Sequence, residues 1–224
     1  MPPIQHYQGE EGRRYHELKR AIPDAAIPWV ARSRARKLRP FIKPNDVVFE
    51  YGVGYGWNLL GLQCALKLGY DVSDFLKADL EKHGIQFVSI IESENSADVV
   101  ICHHTLEHVL NPSETLEQIG RILRPKGKLL LFVPFEKERR YRSFDPAEPN
   151  HHLYSWNVQA LGNLVTESHY SIQSASVGRF GYDRFAAKLA LKLRLGETGF
   201  NTIRSIAHLL RPGLEVRIVA SPKV

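Results

Sequence analysis

Cysteine and methionine are scarce in this 224-residue chain, which holds Cys64, Cys102 and a single methionine. Two cysteines in apolar surroundings make neither a disulfide framework nor a cysteine-rich zinc site. They read as reduced core thiols of a cytoplasmic protein. Long apolar runs are also missing. None approaches the roughly 20 residues that span a bilayer, and the opening "MPPIQHYQGEEGRRYHELKR" has no apolar segment of the secretory kind. Internal repeats and low-complexity linkers are absent. What remains is a hydrophobic share of 43%, enough for a real core in one large domain or one domain with an appendage.

Acidic residues are thin at two flanks. Residues 1–40 carry nine basic and four acidic side chains, and residues 182–211 carry six and two. The stretch 41–181 reverses the balance, with thirteen basic and seventeen acidic. Basic flanks around an acidic middle argue against a uniform nucleic-acid-binding surface. They divide the chain into an N-terminal helical segment, 1–40, and a domain over 41–224 that carries a basic helical insertion, 182–211, before its last strand.

Residues 28–39, "PWVARSRARKLR", read as a basic helix started by Pro28 and ended by Pro40. "DVVFEYG" is apolar, β-branched and short, hence a buried strand. "WNLLGLQCALKLG" has helical spacing with Gly69 as its stop, and "YDVSDF" reads as a second strand. A short helix "LKADLEKHG", strands "IQFVSII" and "ADVVICHH", a helix "NPSETLEQIGRILRPKG" capped by Asn111 or Ser113, and a strand "KLLLFVP" follow. A helix over 157–169, a strand "SIQSASV" and a strand "EVRIVAS" complete the order. Alternating strands and helices mean a parallel sheet covered on both faces. The insertion reads as two amphipathic helices on the sheet edge, or as a lid or membrane-surface element.

Glycines after a first strand allow close backbone approach to a ligand. In "VFEYGVGYGWNLLGL" the spacing Gly52-x-Gly54-x-Gly56 is followed by Trp57, so the third glycine of a dinucleotide fingerprint is absent. The spacing Glu50-x-Gly52-x-Gly54-x-Gly56 resembles motif I of the class I S-adenosylmethionine (SAM) methyltransferases; the alternative is a glycine-rich turn without a ligand. Glu50 suits the ammonium group of SAM or its waters. Tyr51, Tyr55 and Trp57 suit a sulfonium through cation–π attraction. "LEHV", "RILRPKG" and the strand after them resemble the group that includes the ubiquinone-pathway O-methyltransferases, as does "PNHHLYSWNVQALGNLV". The resemblance covers about residues 45–175 and implies a Rossmann-like seven-stranded methyltransferase fold, α/β, with a mostly parallel sheet and helices on both faces. It also implies SAM as cofactor, with His103 beside it. The family's ribose-binding acid falls on Leu76, and Asp74, two residues earlier, is the substitute or else a solvated strand-end carboxylate. The adenine-contacting loop is expected near Ser89–Glu92.

Methyl transfer to a hydroxyl needs positioning, a dry site and removal of a proton. His103, His104 and His108 follow the fourth strand, and His151 and His152 follow the fifth. His104, His151 and His152 are the candidates for base or substrate anchor. His104-x-x-Glu107-His108 would share one helical face. It resembles the E-x-x-E-H ligand set of some ubiquinone-pathway and small-RNA 2′-O-methyltransferases, which implies a divalent ion on His104, Glu107 and His108. His104 in place of an acid would favour Zn²⁺ or Mn²⁺ over Mg²⁺. The alternative is a histidine that only orders the helix start.

The expected activity is methylation of a hydroxyl on a small molecule, lipid precursor or glycan; "CHHT" stands where nitrogen methyltransferases carry an N-P-P-Y-type tetrapeptide. RNA ribose methylation and a non-enzymatic SAM-binding partner protein are the rivals. Arg32, Arg34, Arg36, Lys188, Lys192 and Arg194 are either ordinary surface charge or a cationic rim. The rim would steer an anionic acceptor, including one presented at an anionic membrane. The sequence is silent on oligomeric state.

Overall fold

Two kinds of apolar run build the sheet: continuous ones at its centre and shorter ones at its edges. The computed structural model describes residues 7–19, 21–135, 143–145, 148 and 150–223; the first six residues of the expected N-terminal segment lie outside that set. Strands β1 (Val47–Tyr51), β2 (Leu66–Tyr70), β3 (Gln86–Phe87), β4 (Ala97–His103), β5 (Leu123–Pro134), β6 (Tyr170–Arg179) and β7 (Leu214–Pro222) form one sheet in the order β3-β2-β1-β4-β5-β7-β6. The first five are parallel, whereas β7 runs antiparallel to both β5 and β6. The order reverses between β1 and β4, so their carboxyl ends diverge there into a crevice.

Alternate strand residues feed two cores, because neighbouring side chains point to opposite faces. On one face Phe49, Val100, Leu129, Leu131 and Ile218 pack against α5 (Pro112–Ile122) and α6 (Val158–Glu167) through Leu116, Ile119, Leu161 and Val165. On the other, Val48, Val99, Ile101 and Leu130 meet Ala35 and Leu38 of α2 (Ile27–Leu38), Leu59 of α3 (Trp57–Leu60) and Leu80 of α4 (Lys77–Lys82). Asn111 rather than Ser113 caps α5, its side chain accepting from Glu114 N.

The helix expected over 57–69 is a single turn. A Cβ at Gly61 would sit 2.5 Å from Ala31 O, so α2 lies directly on this glycine and leaves α3 no room to continue in register. The next residues, "LKLGY", pair with β1 as β2 instead. Gly69 is therefore a strand residue, not a helix stop, and its Cβ would meet the Val53 side chain at 2.8 Å. The expected strand "YDVSDF" is a turn and a one-turn 3₁₀ helix, Asp74–Leu76. Short apolar runs do not distinguish helix from strand by periodicity alone.

The basic insertion does form two helices, α7 (Asp183–Lys192) and α8 (Gly196–Leu210), but they pack on α2 rather than on the sheet edge. Ala186, Ala187, Ala190 and Phe200 meet Ile22, Ala26 and Val30 in a separate buried cluster. Two ion pairs reinforce the contact: Arg32 to Glu197, and Arg34 to Asp183. No described helix is long and apolar enough to cross a membrane.

Candidate active site

The crevice is a cleft of about 1540 Å³ at the carboxyl ends of β1, β2 and β4, larger than the roughly 300–1,000 Å³ of ordinary small-molecule sites. Its cofactor end is the turn after β1. Gly52, Gly54 and Gly56 all have positive φ, between 49° and 76°, and each is glycine for a different reason. A Cβ on Gly52 would enter the Thr105 side chain and one on Gly56 would enter Ile85, whereas one on Gly54 would meet only His16, at 3.9 Å, and otherwise project into open space. Gly56 does not line the cleft; it packs toward the core, which corrects its expected place beside the cofactor.

Glu50 is buried beneath the turn. Its Oε1 accepts from Asn58 Nδ2 at 2.5 Å, and its Oε2 has no hydrogen-bond partner among the described residues. Burial pushes this carboxyl up to about 8, against the lowering effect of Asn58. A half-satisfied buried acid under a glycine turn that opens to the cleft fits the cationic amino-acid end of SAM. The acid at the end of β2 is Asp71, which lines the cleft and accepts from Gly54 N at 2.8 Å and Ser73 N at 3.0 Å. Asp74 also lines the cleft, but its 3₁₀ turn removes the strand-parity argument for it. In the expected adenine loop, Ile90 lines the cleft, while the exposed Ser89 and Glu92 bond one another at 2.7 Å.

Tyr51 and Tyr55 line the cleft as well. Tyr51 is largely in the core, its hydroxyl donating to Gln118. Tyr55 stacks on Trp57, and the Arg34 guanidinium already sits over the Trp57 ring, 5.3 Å from its centre. Helix α1 (Gly9–Lys19) closes the cofactor end. His16 Nε2 lies 3.1 Å from Ser73 Oγ, and that hydroxyl donates to Tyr7 O. Tyr7 Oη in turn lies 2.7 Å from His108 Nδ1 and 3.0 Å from Asn150 O. The segment thus straps the end of β2 to the loops after β4 and β5.

The acceptor end is organised by a buried carboxylate, Glu215 on β7. Lys37 Nζ contacts Glu215 Oε1 at 2.8 Å, Glu215 Oε2 at 3.0 Å and His103 Nε2 at 2.8 Å. Arg217 Nε donates to Glu215 Oε1, and His104 Nε2 lies 3.2 Å from Oε2. Burial alone would raise the Glu215 carboxyl, but hydrogen bonds from His103 and His104 and the Lys37 charge hold it far below the usual range. Burial lowers His104 to about 4, so its imidazole is neutral at ordinary pH. Ionised Glu215 can only accept, so the His104 proton sits on Nε2 and Nδ1 is a bare acceptor.

The expected metal set His104, Glu107 and His108 is not assembled. The segment is not an α-helix: His104 has a φ of 53°, and Leu106–His108 is one 3₁₀ turn. His104 joins His103 and Glu215, whereas Glu107 and His108 join His152, each trio with ligand atoms within 4.8 Å. In the first trio the Lys37 ammonium already fills the cation position. In the second, Tyr7 engages His108 Nδ1, and Nε2 lies 3.6 Å from Glu107 Oε1. His152 lines the cleft, and its ring lies 4.8 Å from that of His108. His151 is exposed and is not part of the lining. Of the six cations expected to ring the entrance, only Arg34 lines it; Arg184 and Arg211 do so instead.

Asp71, Lys37, Glu215 and Tyr7 were not singled out from the sequence. A lone acid in the apolar strand "EVRIVAS" was the available signal for Glu215, and placing β2 on "LKLGY" would have exposed Asp71.

A family profile described as a methyltransferase domain matches residues 18–175. No curated protein matches the sequence. Among solved structures, the 4+2 cyclase SpnF is similar with a TM-score of 0.60 at 14% identity, covering 86% of this chain and 81% of its own. A SAM-dependent methyltransferase from Mesorhizobium loti gives 0.53 at 17% identity, covering 83% and 95%. The Haemonchus contortus phosphoethanolamine N-methyltransferase 2, solved with phosphomonomethylethanolamine and S-adenosylhomocysteine, gives 0.53 at 16% identity, covering 85% and 52%. At these identities the likeness is one of fold.

Proposed function

Since the chain belongs to the class I SAM-dependent methyltransferases, we propose that it methylates a hydroxyl group of a small molecule, lipid precursor or glycan. The observation that carries this reading is His104, neutral, oriented through Nε2 by Glu215, with Nδ1 left to take a proton. SAM supplies an electrophilic methyl group when bound. Glu50, Gly54 and Asp71 are the residues that would hold it, and α1 with Tyr7 and His16 excludes water from that end. At the acceptor end His104 Nδ1 accepts the hydroxyl proton, and the resulting imidazolium lies against the Glu215 carboxylate, which offsets part of the cost of charging a buried ring. Lys37 and Arg217 keep Glu215 ionised, so it orients and stabilises without itself taking the proton.

The test is turnover of a metabolite extract with SAM carrying a ¹³C-labelled methyl, the products being assigned by NMR. Label on oxygen is expected. Label on nitrogen would overturn the hydroxyl reading, and the Haemonchus contortus neighbour, an N-methyltransferase by name, makes that outcome the one to look for. Absence of any labelled product would favour a SAM-binding partner protein. His104→Ala should lower kcat by about 10²–10⁴-fold with SAM affinity retained. Of the two features behind the RNA ribose reading, the basic stretch "RSRARKLR" and the H-x-x-E-H set, the second does not hold together, because His104 and the Glu107–His108 pair belong to different clusters.

A further inference from the structure

A second, smaller cavity of about 220 Å³ lies between α2, the end of β6, α8 and β7. Its lining contains six cationic side chains, Arg34, Arg36, Lys37, Arg179, Arg204 and Arg217, and no acid. Two carboxylates stand behind it. Asp183 takes Arg34 at 3.1 Å and Arg204 at 2.9 Å, and Glu215 takes Lys37 and Arg217, each at 2.8 Å. Six cations face these two anions and Glu197, which interacts with Arg36 but is already held by Arg32, so the chamber stays positive.

His208 of α8 completes the wall. It is 94% buried, being 6% exposed, and neither ring nitrogen has a hydrogen-bond partner among the described residues. Burial, with the Arg204 and Arg179 charges, holds its pKa below the ordinary value. Both nitrogens are closed off from solvent, so the ring walls the cavity rather than reaching into it. Ser33, also buried, accepts from Arg204 Nη1 at 2.6 Å and so fixes that guanidinium against the cavity.

We propose that this cavity is a binding site for a phosphate group, held by Arg179 and Arg204 with Arg36 at the rim and His208 in the wall behind them. Planar guanidinium donors match tetrahedral oxyanions. The volume is several times the ~30 Å³ share of one water, room for a phosphate but not for a nucleotide. Arg34 and Phe180 line both this cavity and the main cleft, so the bound anion lies one side-chain layer from the acceptor end. The proposal stands on these side chains whether or not the acceptor is a hydroxyl.

The experiment titrates inorganic phosphate against the full chain by calorimetry and thermal denaturation, with chloride at matched ionic strength as control. Saturable binding with a rise in melting temperature is expected for phosphate alone. Arg179→Gln, at an exposed strand end, should weaken it about tenfold. Arg36→Gln, exposed at the rim, should weaken it similarly while leaving the anion-free melting temperature unchanged. A water-soluble phosphomonoester is titrated in parallel: binding of both ligands marks a site that takes phosphate on a larger molecule, and binding of the free ion alone marks an inorganic anion site. An equal effect of chloride, no phosphate binding, or unaltered binding in both variants would overturn the proposal.

Discussion

At the scale of single residues, the glycine turn divides its labour. Gly52 and Gly56 make space for Thr105 and Ile85, so only Gly54 leaves room for a ligand. Gly54→Val should therefore remove SAM binding, measured by calorimetry, at a folding cost of about 1–2 kcal/mol from its positive φ. Unchanged affinity in the folded variant would remove motif I from the site. Glu50 makes a second prediction. With its carboxyl at about 8 in the free protein, binding a cation must first ionise it and release a proton. SAM affinity should thus rise with pH up to about 8, and Glu50→Gln should flatten that rise; an equally steep profile in the variant would separate Glu50 from the cofactor. The turn was legible because its spacing is local. Asp71 was not, because its role depends on where β2 ends, and that depends on α2 pressing on Gly61 from elsewhere in the chain. Glu215 was hidden for a similar reason: its partners, Lys37, His103 and His104, are distant in sequence and meet only through the antiparallel β7.

At the scale of elements, alternation of strand and helix was readable outside residues 57–76, and the expected seven-stranded, mostly parallel sheet was found. The misplacements cluster where tertiary contact overrides local pattern, at the shortened α3 and in the site of α7–α8 packing. The H-x-x-E-H spacing failed similarly, since its ligand geometry presupposed a helix that never forms: β4 runs to His103 and His104 has a positive φ. The strap formed by α1 carries its own prediction. Tyr7 Oη reaches both His108 and Asn150 from a largely buried ring. Tyr7→Phe should leave those polar atoms poorly satisfied and loosen α1 by about 1–3 kcal/mol. Hydrogen exchange of residues 9–19 should speed accordingly while the central strands stay protected; uniform exchange in both regions would mean α1 is not held by this bond.

At the scale of the whole molecule, buried titrating groups give stability a shaped dependence on pH. His104, at about 4 rather than 6.5, and His103, also lowered by burial, refuse protons that the unfolded chain accepts. Stability should fall as pH drops from 6.5 toward 4. Glu50 acts oppositely: between 4.5 and about 8 the folded protein keeps a proton that the unfolded chain has released, so stability falls as pH rises through that window. Three histidines, His208 being lowered by burial as well, outweigh one acid below 6.5. Above it Glu50 acts until pH approaches 8, where Lys37, which burial lowers to about 8, sheds a proton the unfolded chain keeps and works in the opposite sense. The ligand-free protein should be most stable near pH 6.5, as chemical denaturation across pH will show, and saturating SAM should remove the loss toward pH 8. A flat profile from pH 6.5 to just above 7, below the range where Lys37 titrates, would mean that Glu50 is ionised in the folded state.

The separate cluster joining Ile22, Ala26 and Val30 to Ala186, Ala187, Ala190 and Phe200 bears on how the chain is born. Its two halves are separated by roughly 150 residues, which a ribosome adds in about 8–30 s. Through that interval the apolar side of α2 has emerged while the helices that cover it have not been made. During synthesis the nascent protein therefore presents a hydrophobic stripe flanked by arginines, the kind of segment that holding chaperones capture, and closure waits until α7 and α8 have been made.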